Sequence, residues 1–237
     1  MGEHPTIMKL LAGVKNLRPI PDKFPIIWDI DSVLHFLKRL GKTKKLSLKL
    51  LTWKTVMLIG LTAIPRASEL VRLNLSRKSE GGNEVTFTFL NPHKHNRENK
   101  PSPDPLSIFK FNEDTDLCPV YCLKAYIKRT KFIRKGENRL FLATVKPHQA
   151  VTSETIGSWL KQILERVGVD TKLFKGHSIR KAASSKAKVR GATVQDIMDR
   201  GRWSYASTWE KFYHKKIISP QERFQNILLG GFTKDNK

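Results

Sequence analysis

Four short stretches of the chain hold side chains able to bind an anion or move a proton. The first is Ala63-Ile64-Pro65-Arg66-Ala67-Ser68-Glu69-Leu70, where an arginine follows a tight turn at a helix start. The second is a basic turn, Pro92-His93-Lys94-His95-Asn96-Arg97. The third is Gly176-His177-Ser178-Ile179-Arg180, whose His-x-x-Arg spacing sets both side chains on one helical face. The fourth is Gly201-Arg202-Trp203-Ser204, followed ten residues after Trp203 by Tyr213. Guanidinium groups fork onto oxyanions. An imidazole hydrogen-bonds an oxyanion or carries a proton near neutral pH. A phenol is neutral near pH 7 and becomes a nucleophile where cations help it ionise. Each stretch alone is weak; all four in this order form a pattern.

The composition says what the anion is. Among 237 residues, Lys plus Arg number 44 and Asp plus Glu 21, a net charge of +23. A sequence pI near 10.2 points to a polyanionic partner, most simply nucleic acid. With 39% hydrophobic and 27% charged residues the chain is globular rather than disordered. It lacks the run of about 18 apolar residues that a membrane span needs. Met1 to Leu10 has no apolar core of the signal-peptide kind. Two cysteines, Cys118 and Cys122, make no disulfide framework and read as packed thiols. These features predict an intracellular protein with a nucleic-acid partner, nuclear if the host is eukaryotic; a basic ribosome-like protein is the plainer alternative at this point.

The elements that must position these residues are mostly helical. Pro5 to Val14 reads as a short helix. Three prolines between Arg18 and Pro25 then make a stiff linker and the best domain boundary. Asp29 or Asp31 caps a helix through Leu40, and Ser47 to Ile59 is the most apolar and central helix. Gly60 to Pro65 breaks it, and Arg66 to Leu73 forms the next. Glu84 to Leu90 and Leu106 to Phe111 read as a hairpin around a long polar tip. Helices follow at Pro119–Thr130, at Thr152 or Ser153 to Val167, and at His177–Val189. Three more fit Thr193–Asp199, Ser207–Lys216 and Gln221–Leu229. The fold class is α+β, mostly helical, with a small β-hairpin or sheet at one edge.

With these four stretches in order, the sequence resembles the tyrosine recombinase (phage integrase) family. It is most similar to the branch carried by DIRS-type retroelements. The segment from His4 to Leu37, with Asn16-Leu17-Arg18-Pro19 and Trp28-Asp29, resembles that branch's junction between two domains. The resemblance implies a remnant of a core-binding domain and linker over 1–25, a catalytic domain over 26–216 and a tail over 217–237 for protomer exchange. It implies strand cutting and rejoining through a 3′-phosphotyrosine, serving the DNA integration of a mobile element. The implied partners are double-stranded DNA and three further copies in a homotetramer on two DNA sites. No membrane, small-molecule substrate, metal or cofactor is implied.

The resemblance also distributes roles. Arg66 and Arg180 would neutralise the scissile phosphate, although Arg66 equally suits an ion pair with Glu69. His177 would hydrogen-bond the phosphate or take the nucleophile's proton; the plainer reading is a capping or buried histidine. Lys94 would protonate the departing 5′ oxygen, with Lys100 its competitor on the same turn. Trp203 would donate its indole N–H to a phosphate oxygen and pack on the nucleophile's helix. Tyr213 would attack. The family's common spacing is nine from the Trp203 slot, which lands on Phe212, so one extra loop residue is needed to reach Tyr213; Tyr205 lies too near Trp203 to serve easily. Lys181 stands where the family often has a second histidine.

Lys42, Lys44, Lys45, Lys49, Arg97, Lys100 and Lys181 are the expected DNA contacts. The basic run from Lys38 to Lys54 includes the first four, and Lys186, Lys188 and Arg190 extend it. Two other readings stay open: a recombinase fold that binds DNA without cutting it, and a type IB topoisomerase-like enzyme.

Overall fold

The structure is a computed structural model that describes residues 4–6, 9, 13, 26–89, 105–217 and 228. Strand β1 (Ile26–Ile27) leads into helix α1 (Ile30–Arg39), whose first turn is capped by the Asp29 carboxylate accepting from the Asp31 N–H at 3.1 Å. Val33 and Leu37, one helical turn apart, are fully buried.

Helix α2 (Leu48–Thr62) is the centre of the molecule, with every residue from Leu51 to Leu61 buried. A helix enclosed on all sides must be apolar all round or satisfy its polar groups. The Thr52 and Thr55 hydroxyls turn back onto the Leu48 and Leu51 carbonyls, each at 2.7 Å. The Lys54 ammonium donates to the Gly41 carbonyl at 3.2 Å and lies 3.8 Å from Asp116. Lys54 is therefore an internal strut and not part of a basic surface.

Around α2 pack α4 (Pro119–Thr130), α5 (Ser153–Arg166) and α6 (Ser178–Val189); α3 (Ala67–Arg72) lies on α5. Two short helices, α7 (Val194–Gly201) and α8 (Ala206–Phe212), follow. A three-stranded antiparallel sheet has the order β2 (Lys78–Glu80), β3 (Glu84–Phe87), β4 (Leu106–Phe109), with Val85 opposite Ile108 and Phe87 opposite Leu106. The core takes Val85, Phe87, Leu106 and Ile108, as the period-two pattern of the sequence requires. Cys118 and Cys122 are buried and unpaired, as expected of packed thiols.

The structure revises several sequence-based boundaries. Helix α2 runs through Gly60 to Thr62; Gly60 faces Ile179 of α6, where even a Cβ would make only ordinary contact at 3.6 Å. The hairpin gains β2, a polar edge strand without alternation. The helix expected over Ser207–Lys216 stops at Phe212. Residues Lys216–Ile217 instead form β5, parallel to β1, with Ile26 opposite Lys216. Of the expected helix over Pro5–Val14, Pro5, Thr6, Lys9 and Gly13 are described and helical, and of that over Gln221–Leu229 only Leu228 is, also helical; the rest of both lies outside the described residues. No helix among the described residues is long and apolar enough to cross a membrane.

Candidate functional site

Three chain segments meet where α2 ends, α6 begins and α7 turns into α8. Arg66 is the N-cap of α3, just after the chain reverses through Ile64 (φ +39°) and Pro65. Its backbone N–H and its guanidinium donate to the two oxygens of Glu69, at 2.9 and 2.8 Å. The Arg66–Glu69 ion pair foreseen in the sequence is thus present, and it leaves Arg66 exposed. Glu69 is itself fully buried and accepts a second guanidinium, from Arg202. Burial alone would raise the Glu69 pKa. The Arg202 charge, with the Arg66 N–H and guanidinium, outweighs burial and holds the carboxyl below its ordinary value.

Arg180 lies in the first turn of α6 and is almost wholly buried. One terminal nitrogen donates to the Ile64 carbonyl at 2.6 Å, the other to the Gly201 carbonyl. Arg180 therefore joins the turn before Arg66 to the turn before Trp203. A guanidinium has five N–H donors, so these two bonds leave three, and its buried Nε has no partner among the described residues. Burial, then the neighbouring Arg66, pushes its pKa down to about 10, so it is a cation at neutral pH.

Arg180 also covers two rings. Its central carbon lies 4.2 Å from the Trp203 ring centre and 5.5 Å from that of Tyr213. The two rings are 4.7 Å apart, tilted at 57°. Gly201 makes room for this: a Cβ there would sit 1.9 Å from the Trp203 ring. Arg202 adopts the left-handed conformation (φ +53°, ψ +47°) that ends α7. The buried Trp203 indole N–H has no partner among the described residues.

Tyr213 caps the C-terminus of α8, half-buried, with its N–H bonded to the Trp209 carbonyl at 2.8 Å. The ten-residue spacing from Trp203 closes on itself, because Ser204 and Tyr205 lead into α8 and its last turn returns Tyr213 to the indole. Phe212 is 49% exposed and Tyr205 is 70% exposed, and neither joins the cluster.

His177 is the N-cap residue of α6 and not part of its first turn; its side chain makes no capping bond and is exposed. Neither the capping nor the buried alternative describes it. Partial burial, with Lys181 and Lys175 nearby, pushes its pKa below the ordinary value and favours the neutral ring. Lys181 is half-buried one residue after Arg180. Lys94, Arg97 and Lys100 lie outside the described residues.

Of the expected DNA contacts in the first basic run, Lys42, Lys44, Lys45 and Lys49 are all exposed. Arg129 fixes their turn by donating to the Lys44 and Leu46 carbonyls at 2.9 and 3.2 Å. Two members of the wider run are otherwise committed. Lys38 pairs with Asp114 at 2.9 Å, and Lys54 is internal. Lys186 and Arg190 do not extend the basic surface freely either: Lys186 pairs with Asp29 and Asp31, and Arg190 with Asp31, which ties α6 to α1.

Two residues of the cluster, Glu69 and Arg202, were not among the expected site residues. The Arg66–Glu69 ion pair was readable from its three-residue spacing. Arg202 had no such signal, since its partner lies 133 positions away.

Neither a protein-family model nor a curated protein sequence matches the chain. Solved structures do resemble it in fold. The XerA recombinase matches with a TM-score of 0.58 at 15% identity, over 98% of this chain and 74% of that one. The Tn1549 transposon integrase in complex with transposon right-end DNA matches at 0.57 and 16%, over 92% and 70%. The XerH site-specific recombinase bound to its palindromic difH substrate, in a post-cleavage complex, matches at 0.56 and 12%, over 93% of this chain and 58% of XerH. The chain has the catalytic fold of the tyrosine recombinases.

Proposed function

We propose that this chain is the catalytic part of a site-specific DNA recombinase that cuts and rejoins strands through Tyr213. The observation that carries the reading is the stacking of the Arg180 guanidinium on both Trp203 and Tyr213, beside Arg66. It sets a phenol against a desolvated cation that retains unused donors, in a chain of net charge +23.

The chemistry is a transesterification. The Tyr213 Oη attacks a backbone phosphorus, the P–Oη bond forms and the P–O5′ bond breaks. The phenol proton passes to the neutral His177 imidazole. The departing O5′ takes a proton from Lys94, with Lys100 the competitor. Arg66, Arg180 and the Trp203 indole N–H bind the non-bridging oxygens, where negative charge grows in the transition state. The 3′-phosphotyrosine conserves the bond, so attack by a 5′-hydroxyl of a partner strand restores DNA without a nucleotide.

Residues 26–216 hold this chemistry in our reading. Residues 1–25 belong to a preceding core-binding region and 217–237 to an exchange segment in a homotetramer on two DNA sites. Lys42, Lys44, Lys45, Lys49, Lys181 and Arg97 track the duplex backbone. The resemblance to the DIRS-type branch supports a mobile-element origin, with work in the nucleus of a eukaryotic host.

Cleavage of nicked duplexes tests this reading through its products. The account expects protein on the 3′ phosphate and a 5′-hydroxyl that is ligated only after enzymatic phosphorylation. Tight binding without cleavage would leave a DNA-binding fold. Relaxation of supercoils without sequence preference would instead assign a swivelling enzyme.

A further inference from the structure

The α8 ladder ends at the Trp209 carbonyl, which accepts from the Tyr213 N–H at 2.8 Å and the His214 N–H at 2.9 Å. The Tyr213 carbonyl lies beyond the helix, and β5 begins only at Lys216. The group that takes the carbonyl is Ser185. This side chain is fully buried on α6; its hydroxyl donates to the Tyr213 carbonyl at 3.0 Å and accepts from the Lys215 N–H at 2.9 Å. One small hydroxyl therefore ties down the Tyr213 carbonyl and the Lys215 N–H, which flank His214 directly after the residue that carries the phenol.

Ser185 stands five residues after Arg180 on the same helix. At ~1.5 Å of rise per residue, α6 acts as a rigid spacer between the serine and the guanidinium. The guanidinium meets the Tyr213 ring, and the serine meets the Tyr213 backbone. The tyrosine is thus fixed at two points by one helix, which suits a nucleophile whose reach must be set to a fraction of an ångström.

We propose that Ser185 is a positioning residue for the nucleophile: it sets the backbone of Tyr213 in register with Arg180. The inference rests on the reading of Tyr213 as the attacking group. Ser185 touches no DNA; it acts through Tyr213.

The test compares Ser185→Ala, Ser185→Thr and Ser184→Ala with the unaltered chain. Ser184 is the next residue on α6, also buried, but its hydroxyl bonds to the Lys181 carbonyl and not to the Tyr213 segment. The substrate is a nicked duplex of the sequence recovered from wild-type adducts, at saturating concentration. Ser185→Ala is expected to form adduct about 10- to 100-fold more slowly, with DNA affinity within about twofold. Ser185→Thr, which keeps the hydroxyl, is expected to recover most of the rate, and Ser184→Ala to stay near wild type. If Ser185→Ala does not fold, Ser185→Cys carries the same expectation, because a thiol keeps the volume but hydrogen-bonds weakly.

A second readout needs no cleavage. With 3-fluorotyrosine incorporated, the Tyr213 fluorine resonance, assigned by Tyr213→Phe, is expected to be single in the wild type and broadened or split in Ser185→Ala. Wild-type rates and an unchanged resonance in Ser185→Ala would overturn the tether, as would a slowing that Ser185→Thr does not recover. Adduct formation that survives Tyr213→Phe would instead overturn the reading of the nucleophile, a separate outcome.

Discussion

The guanidinium of Arg180 lies over the ring of Tyr213, 5.5 Å from its centre, within a single chain. The same group bridges the carbonyls of Ile64 and Gly201, so the turns before Arg66 and before Trp203 are held in one frame with the tyrosine. A cation, two donors and a phenol are assembled by helix packing before any DNA arrives.

Because the tyrosine sits on its own chain's arginines, the site should be complete in one protomer. Arg66→Ala removes an exposed guanidinium, while the buried Glu69 keeps its bonds from the Arg66 backbone N–H and from Arg202. Mixed with Tyr213→Phe in equal amounts, it should restore no cleavage, since neither chain holds a full site. Restored cleavage in the mixture would mean that Tyr213 is handed to a neighbouring protomer.

Gly201→Ala should be among the most damaging single-methyl changes. The added Cβ would lie 1.9 and 2.1 Å from ring atoms of Trp203, and a packed indole has nowhere to swing. A loss of about 3 kcal/mol in stability is expected. Urea denaturation checks the size, and quenched or shifted Trp fluorescence checks the displacement.

Much of this arrangement was readable from the sequence. Asp29, Ser47 and Thr152 cap their helices as their residue types predict, and the alternation of Val85 and Phe87 sets one buried strand face. What escaped was non-local or too short to carry a period. The pairing of β1 with β5 involves two residues on each side, nearly the whole chain apart. The link from Arg202 to Glu69 and that from Ser185 to Tyr213 depend on how helices pack, which no local spacing encodes. The charge run around Lys38 to Lys54 misled in part for the opposite reason. Its composition was plain, but Lys54 points inward to the Gly41 carbonyl.

Glu69 should make the fold acid-sensitive. Its carboxyl is held below the ordinary glutamate value of 4.5, so the unfolded chain binds that proton more readily than the folded one. The stabilisation is complete above pH 4.5 and is lost as the pH falls through the depressed folded value. Glu69→Gln should cost about 3 kcal/mol at neutral pH, since it leaves the enclosed Arg202 without its counter-charge. The gap from wild type should narrow steadily below pH 4.5 in thermal melts taken across that range.

His177 predicts the pH dependence of the chemical step. Partial burial and the charges of Lys181 and Lys175 keep its pKa below the ordinary 6.5. The neutral, proton-accepting ring is then the main form at neutral pH. Single-turnover cleavage should rise with pH through a midpoint below 6.5. His177→Asn should slow the reaction by about 10²-fold and remove that acid limb.

Covalent trapping tests the central claim most directly. Protein is incubated in EDTA with a pool of randomised nicked duplexes and run on denaturing gels, alongside Tyr213→Phe and Tyr205→Phe. The account predicts a DNA-linked band for the wild type and for Tyr205→Phe, and none for Tyr213→Phe. A band that persists in Tyr213→Phe, or no band in any lane while the duplex is tightly bound, would contradict it.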